Sequence, residues 1–156
     1  MTKPIIVYTT RTGHSKTLAD AMATMLGTKA LPIGDTVSRK GFLGYLNAGF
    51  QTVTKKATPI LDPGADLAGA DTVVMVQPIW ASGVTPPLRT WIRAHAEELK
   101  GKKCGLFTVC KGSDVSALKP VFETEFFPLS AVGGVLEKHD EASKRKTMEA
   151  FIASLS

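Results

Sequence analysis

The spacing of apolar positions changes repeatedly along the chain. Ile5-Ile6-Val7-Tyr8 is a short, continuous apolar run that reads as a buried strand, and from His14 to Leu26 the positions Leu18, Ala19, Met22, Met25 and Leu26 recur at helical spacing. A second short strand fits Lys29 to Ile33, ending in Gly34-Asp35. From Arg39 to Thr54, Phe42, Tyr45, Leu46, Gly49, Phe50 and Val53 draw a loose helical stripe among glycines. That stretch is either a short helix covering an edge of the domain or part of the wall of a ligand site. Pro59, Pro63 and Gly64 close it, and Leu67 to Ala70 reads as a short helical turn before the most strand-like run, Thr72-Val73-Val74-Met75-Val76. Pro78 ends that pattern, and Trp80 through Pro87 is a loop. Pro87 suits the first turn of a helix whose inner face is Leu88, Trp91, Ile92, His95 and Leu99. His95, on that stripe, reads as a packing histidine.

Gly101 stops this helix before a fourth strand, Lys103 to Val109. Lys111 to Asp114 is a loop, Val115 to Phe126 a helix despite Pro120, and Leu129 to Leu136 a strand containing Gly133-Gly134. The final helix, Glu141 to Leu155, turns Met148, Phe151, Ile152 and Leu155 inward and is entered through His139-Asp140, with Asp140 as its cap. Strand and helix thus alternate five times within 156 residues, a length that suits one domain over 1–156. Apolar strands joined by helices imply an α/β fold with a parallel sheet covered on both faces. In an open sheet of this kind ligands lie beyond the carboxyl ends of the strands. Three loops lie there: Thr9 to Ser15, Gln77 to Pro87, and Cys110 to Asp114.

The first loop is rich in hydroxyls and lies between a strand and a helix, so it can turn several N–H and O–H groups toward one anion. It lacks the Gly-Lys-Ser/Thr ending of a triphosphate loop, since Lys16 follows Ser15, and it has only Gly13 where a dinucleotide fingerprint needs three glycines. A single phosphate held by Thr10, Thr12, Ser15 and backbone N–H groups remains, with Arg11 free to add positive charge. The alternative is that Thr10, Thr12 or Ser15 merely caps the helix. In the second loop Trp80 stands among Pro78, Gly83, Pro86 and Pro87, either packed as a lid or offering its indole to a flat ligand. Backbone groups around Ser82-Gly83 and Lys111-Gly112 could bond the edge of such a ring. A flat ring carrying one phosphate satisfies both loops.

At these residues the chain resembles the flavodoxin-like family. Thr10-Arg11-Thr12-Gly13-His14-Ser15 is similar to that family's hydroxyl-rich loop for the phosphate of flavin mononucleotide (FMN), and Val76-Gln77-Pro78-Ile79-Trp80-Ala81 to the approach to its first ring-contacting loop. The Pro86-Pro87 helix start and Gly101-Lys102-Lys103 extend the likeness over nearly the whole chain. The resemblance implies a three-layer fold with a five-stranded parallel sheet in the order 2-1-3-4-5. It also carries over Thr10, Thr12, Gly13, His14 and Ser15 as contacts to the phosphate of FMN and Trp80 as a ring contact, and with the reading of the three loops the expected FMN site adds Arg11, Pro78, Ile79, Ala81, Ser82, Gly83, Cys110, Lys111 and Gly112. Two departures stand out. The loop after Cys110 has no aromatic residue, and His14 replaces the commoner small polar residue.

Charge and cysteines refine this picture. The formal net charge is +5 and the pI near 9.3, unlike the acidic surface typical of flavodoxin electron carriers. The basic residues are dispersed as Lys55-Lys56, Lys100 with Lys102-Lys103, and Lys144-Arg145-Lys146, without interleaved aromatic residues, so nucleic acid is not an expected partner. Cys104 and Cys110 would share one face of a strand, which suits reduced thiols rather than a disulfide. The amino terminus shows no apolar signal segment and no run reaches spanning length, so the expected address is the cytoplasm. The expected function is that of an FMN-dependent oxidoreductase passing electrons from a reduced nicotinamide or partner reductase to a quinone-like acceptor. The rival readings are a flavodoxin-type carrier without its own turnover and a flavin-free binding domain. Oligomeric state stays open.

Overall fold

The computed structural model of the chain describes residues 4–10, 13–35, 60–78, 83–111 and 115–155. Its main sheet contains β1 (Ile5–Tyr8), β2 (Ala30–Pro32), β5 (Thr72–Pro78), β6 (Lys103–Cys110) and β7 (Ala131–Leu136), in the spatial order β2-β1-β5-β6-β7. Every pairing in it is parallel. Counted along the chain, these five strands have the order 2-1-3-4-5 expected from the sequence. A separate antiparallel ribbon joins β3 (Gly34–Asp35) to β4 (Ile60–Leu61). The sequence pattern predicts a second strand over Lys29 to Ile33 that ends in Gly34-Asp35. The structure instead stops β2 at Pro32 and gives those two residues to the ribbon.

Two apolar cores flank the sheet because side chains alternate along each strand. On one face Val7, Val73, Met75, Cys104 and Leu106 pack with Leu88, Trp91 and Ile92 of α2 (Pro86–Ala94) and with Leu118 and Phe122 of α4 (Leu118–Glu125). On the other face Ile6, Tyr8, Val74, Val76, Phe107 and Val109 meet Leu18, Ala19 and Met22 of α1 (His14–Leu26) and Met148 and Phe151 of α5 (Glu141–Ala153). Glycine lets the elements close up at one point. A Cβ on Gly134 would stand 2.5 Å from Thr108 Oγ1 and 2.7 Å from the Thr108 carbonyl oxygen, so β6 and β7 meet there only without a side chain.

The helix expected to run from Pro86 to Leu99 is broken. α2 ends at Ala94, His95 has φ −115°, and a short α3 (Ala96–Leu99) follows. His95 explains the break. Its Nε2 lies 2.6 Å from Asp62 Oδ2 and its Nδ1 3.0 Å from Glu98 Oε1, with its ring centroid 5.0 Å from that of Trp91. The residue packs, as expected, but it also ties the segment after β4 to two helices. Val115 to Phe126 likewise divides, into a 3-10 turn at Val115–Ala117 and then α4. Leu67 to Ala70 is a single turn closed by the Ala70 N–H on the Leu67 carbonyl. Asp140 caps α5 by accepting from the Ser143 N–H at 2.7 Å. The Arg39–Thr54 stripe lies outside the described residues. Both cysteines are buried, and burial pushes the Cys104 thiol up to about 11, in keeping with an inert core residue. Among the described residues no helix is long and apolar enough to cross a membrane.

Candidate functional site

The three loops named from the sequence all leave the carboxyl edge of the main sheet. α1 starts from the first of them at Gly13, which takes φ +95°, a left-handed conformation that costs a glycine little. The Gly13 N–H donates to Thr10 Oγ1 at 2.9 Å, closing the loop around its own hydroxyl, and among the described residues no side chain caps the helix. Helix capping by Thr10 or Ser15 is therefore not what these hydroxyls do in the described structure. The first-turn N–H groups of α1 have no intrahelical acceptors. No acidic residue stands in that turn to offset the positive end of the helix dipole, and Asp20, one turn further on, is engaged by Lys16 at 2.7 Å.

Ser15 is the informative side chain here. It is 1% exposed, and its Oγ finds no hydrogen-bond partner among the described residues. Leaving a buried hydroxyl unsatisfied costs about 1–3 kcal/mol, so such groups are rare unless something else satisfies them. An oxyanion seated at the start of α1 is one such group. Thr10 and His14 are exposed beside it. Thr10 Oγ1 accepts from Gly13, which leaves its own proton available to a second acceptor.

Beneath the loops, the apolar core gives way to a buried polar layer. Thr9, Gln77, Thr85 and Thr108 are all no more than 2% exposed. Gln77 closes the second loop: its Oε1 accepts the Thr85 N–H at 2.8 Å and its Nε2 donates to the Gly83 carbonyl at 3.3 Å. The Thr9 and Thr85 hydroxyls bond each other at 2.9 Å, joining the base of the first loop to the end of the second. Thr9 is held in addition through its N–H, which donates to the Val76 carbonyl at 2.9 Å. Thr108 pairs in register with Gln77, and its Oγ1, like that of Ser15, has no partner.

The predicted site residues divide as follows. Thr10, Gly13, His14 and Ser15 stand together at the start of α1. Pro78 is the last residue of β5, paired with Val109, and ends the strand as expected. Gly83 is buried at the Gln77 clasp, Cys110 is buried at the end of β6, and Lys111 is exposed just beyond it. Arg11, Thr12, Ile79, Trp80, Ala81, Ser82 and Gly112 lie outside the described residues. Sequence reasoning missed Thr9, Gln77 and Thr85 as supports of the loops. A signal existed for Gln77, since a lone amide in an otherwise apolar strand needs buried partners.

No protein-family model matches the chain, and no curated protein matches it. Solved structures do. A candidate flavoprotein from Bacteroides eggerthii DSM 20697 superposes with a TM-score of 0.76 at 20% identity, over 97% of this chain and 99% of that one. A flavoprotein from Lactobacillus acidophilus NCFM, solved in complex with FMN, gives a TM-score of 0.73 at 14% identity, over 94% and 99%. A flavodoxin, WrbA-like protein from Agrobacterium tumefaciens gives 0.68 at 13% identity, over 99% and 96%. At these identities the likeness is one of architecture, and together with the strand order it shows that the chain has the flavodoxin-like fold.

Proposed function

We propose that residues 1–156 form one FMN-binding domain that passes electrons from a reduced nicotinamide or a partner reductase to a quinone-like acceptor. The observation that carries this reading is Ser15. A buried, unpartnered hydroxyl at the unneutralised positive end of a helix suits a monophosphate ester, and it does so in a fold shared with a flavoprotein solved with FMN. In this reading Ser15 and Thr10 donate to phosphate oxygens alongside the first-turn N–H groups of α1, and Arg11 and Thr12 complete the loop. The ring lies against the segment from Pro78 through Ile79, Trp80, Ala81 and Ser82 to Gly83, and against Cys110, Lys111 and Gly112.

Bound FMN would supply the redox chemistry, and the chain supplies orientation and exclusion of water. No protein nucleophile is required. The buried layer of Thr9, Gln77 and Thr85 ties the root of the first loop to the end of the second, which holds both loop ends for the ligand. A third loop without an aromatic residue leaves one ring face open to a flat acceptor, which favours turnover over simple storage of an electron. The cytoplasm, where reduced nicotinamides are abundant, is the setting this reading assigns.

The reading is tested by titrating FMN-loaded protein anaerobically with NADH and with NADPH while recording the flavin spectrum, then adding a quinone. Direct bleaching by one nucleotide and rapid two-electron reoxidation are expected. No bleaching by either nucleotide, with reduction only through a partner reductase, would move the assignment to a carrier. Failure to take up FMN at all would move it to a flavin-free binding domain.

A further inference from the structure

We infer that Thr85 is a positioning residue that sets the spacing between the phosphate loop and the ring loop through its hydroxyl bond to Thr9. The inference rests on the flavin reading above. Thr85 stands at the N-cap of α2, where a threonine ordinarily turns its oxygen onto its own helix. Here that cap bond is absent. The Thr85 hydroxyl meets Thr9 Oγ1 at 2.9 Å instead, across a sequence separation of 76 residues and with both groups buried. Pro87, the second residue of the helix, has no N–H, which removes one of the two donors the side chain would otherwise have served.

Every other polar group of Thr85 is also committed to holding the second loop. Its N–H donates to Gln77 Oε1 at 2.8 Å, and its carbonyl accepts the Arg89 N–H at 2.9 Å, closing the first turn of α2. Thr9 in turn is the first residue of the phosphate loop, fixed to β5 by its N–H on the Val76 carbonyl. One buried bond therefore joins the root of one loop to the root of the other. A ligand with a phosphate at one end and a ring at the other gains affinity over its separate halves only when the two subsites sit at the correct distance, which appears as an effective concentration. Thr85 fixes that distance.

The test compares three probes on the whole protein: FMN, riboflavin and inorganic phosphate, the last by competition with FMN. The linkage is the product of the riboflavin and phosphate Kd values divided by the FMN Kd. In Thr85→Val this quotient should fall at least tenfold while the riboflavin and phosphate Kd values each stay within about threefold, and Thr85→Ser, which keeps the hydroxyl, should restore it. Thr9→Val breaks the same bond from the other side and should reproduce the fall, so a poorly folding Thr85→Val still leaves the inference testable. An unchanged quotient in the folded variants, or a loss in Thr85→Val that Thr85→Ser does not restore, overturns it. Failure of the unmodified protein to bind FMN would instead overturn the flavin reading on which it rests.

Discussion

Ser15 shows how one side chain can separate a structural role from a binding role. A helix cap would have satisfied its hydroxyl. Because Gly13 takes the N-cap position in a left-handed conformation, Ser15 falls one turn-face inward, where it is buried and unpaired. Removing that oxygen should stabilise the ligand-free protein by about 1 kcal/mol, since an unsatisfied buried hydroxyl is destabilising. The same change should weaken FMN binding by about 10- to 100-fold, the worth of a hydrogen bond to a charged group. Urea denaturation and FMN titration of Ser15→Ala check the pair, and a loss of ligand-free stability without a loss of affinity would return Ser15 to a purely structural role. The sequence marked Ser15 only as one of several hydroxyls, because which residue becomes the cap is decided by backbone conformation and not by side-chain type.

Gly134 and Gly105 make a second comparison at this scale. A Cβ on Gly105 would press on Phe151 Cζ at 2.7 Å and Leu155 Cδ2 at 3.1 Å, both the ends of side chains that can turn aside. A Cβ on Gly134 would meet a backbone carbonyl as well as Thr108 Oγ1 and Val115 Cγ2 at 2.8 Å. Overpacking of this kind costs typically about 1–3 kcal/mol. Gly134→Ala should therefore be the more destabilising of the two in chemical denaturation, and the reverse order would show that β7 yields more readily than α5.

At the scale of elements, the strands of the main sheet were legible because burial on both faces makes each a continuous apolar run. The β3–β4 ribbon was not. Two residues on each side carry no periodicity, and their pairing depends on contacts far apart in sequence. The break at His95 was also hidden, because Leu88, Trp91, Ile92, His95 and Leu99 keep helical spacing whether or not the helix is continuous. What decides it is the pair of carboxylates, Asp62 and Glu98, drawn to the two ring nitrogens. A salt link between α2 and α4 was equally invisible: Arg89, 2% exposed, reaches Glu125 Oε2 at 2.7 Å, and Arg93 shares that oxygen at 3.2 Å.

The His95 cluster has a pH signature. Partial burial alone would lower the His95 pKa, but the acceptors Glu98 and Asp62 outweigh it and hold the value above the ordinary 6.5. Its stabilisation is then fully present below pH 6.5 and lost as pH rises through the raised folded value. For Asp62, burial would raise the pKa, yet the Gly64 N–H and His95 keep it below the ordinary 3.8, so its share is present above that pH and lost as pH falls through the lowered value. Stability should pass through a plateau between these limits. Above it the loss should be at most about 1 kcal/mol, since the groups are partly exposed, and His95→Gln should remove it. A His95 pKa at or below 6.5 by proton NMR would contradict the assignment.

At the scale of the whole molecule, topology places the roots of the first and second loops side by side at one sheet edge, and this much could be read from the order of strands and helices. The buried layer that joins them could not, because only Gln77, a lone amide in an apolar strand, carries a signal, while Thr9 and Thr85 are ordinary loop residues until the fold brings them together. The charge is also organised at this scale. Of the formal +5, the stretch 36–59 carries Arg39, Lys40, Lys55 and Lys56 and no acidic residue, so the rest of the chain is nearly balanced. On the proposed function, this excess of basic residues in the sequence would favour an anionic electron donor. The second-order rate of flavin reduction by such a donor should fall several-fold between low and physiological ionic strength, and a rate indifferent to salt would argue against steering.

The central claim is that the chain holds a flavin by its phosphate at the start of α1. Equilibrium titration of the flavin-free protein with FMN and with riboflavin, followed by flavin fluorescence, tests it most directly. One FMN per chain, bound at least about tenfold more tightly than riboflavin and losing that advantage in Ser15→Ala, is the predicted result. Equal affinity for the two flavins, or no binding of either, would contradict it.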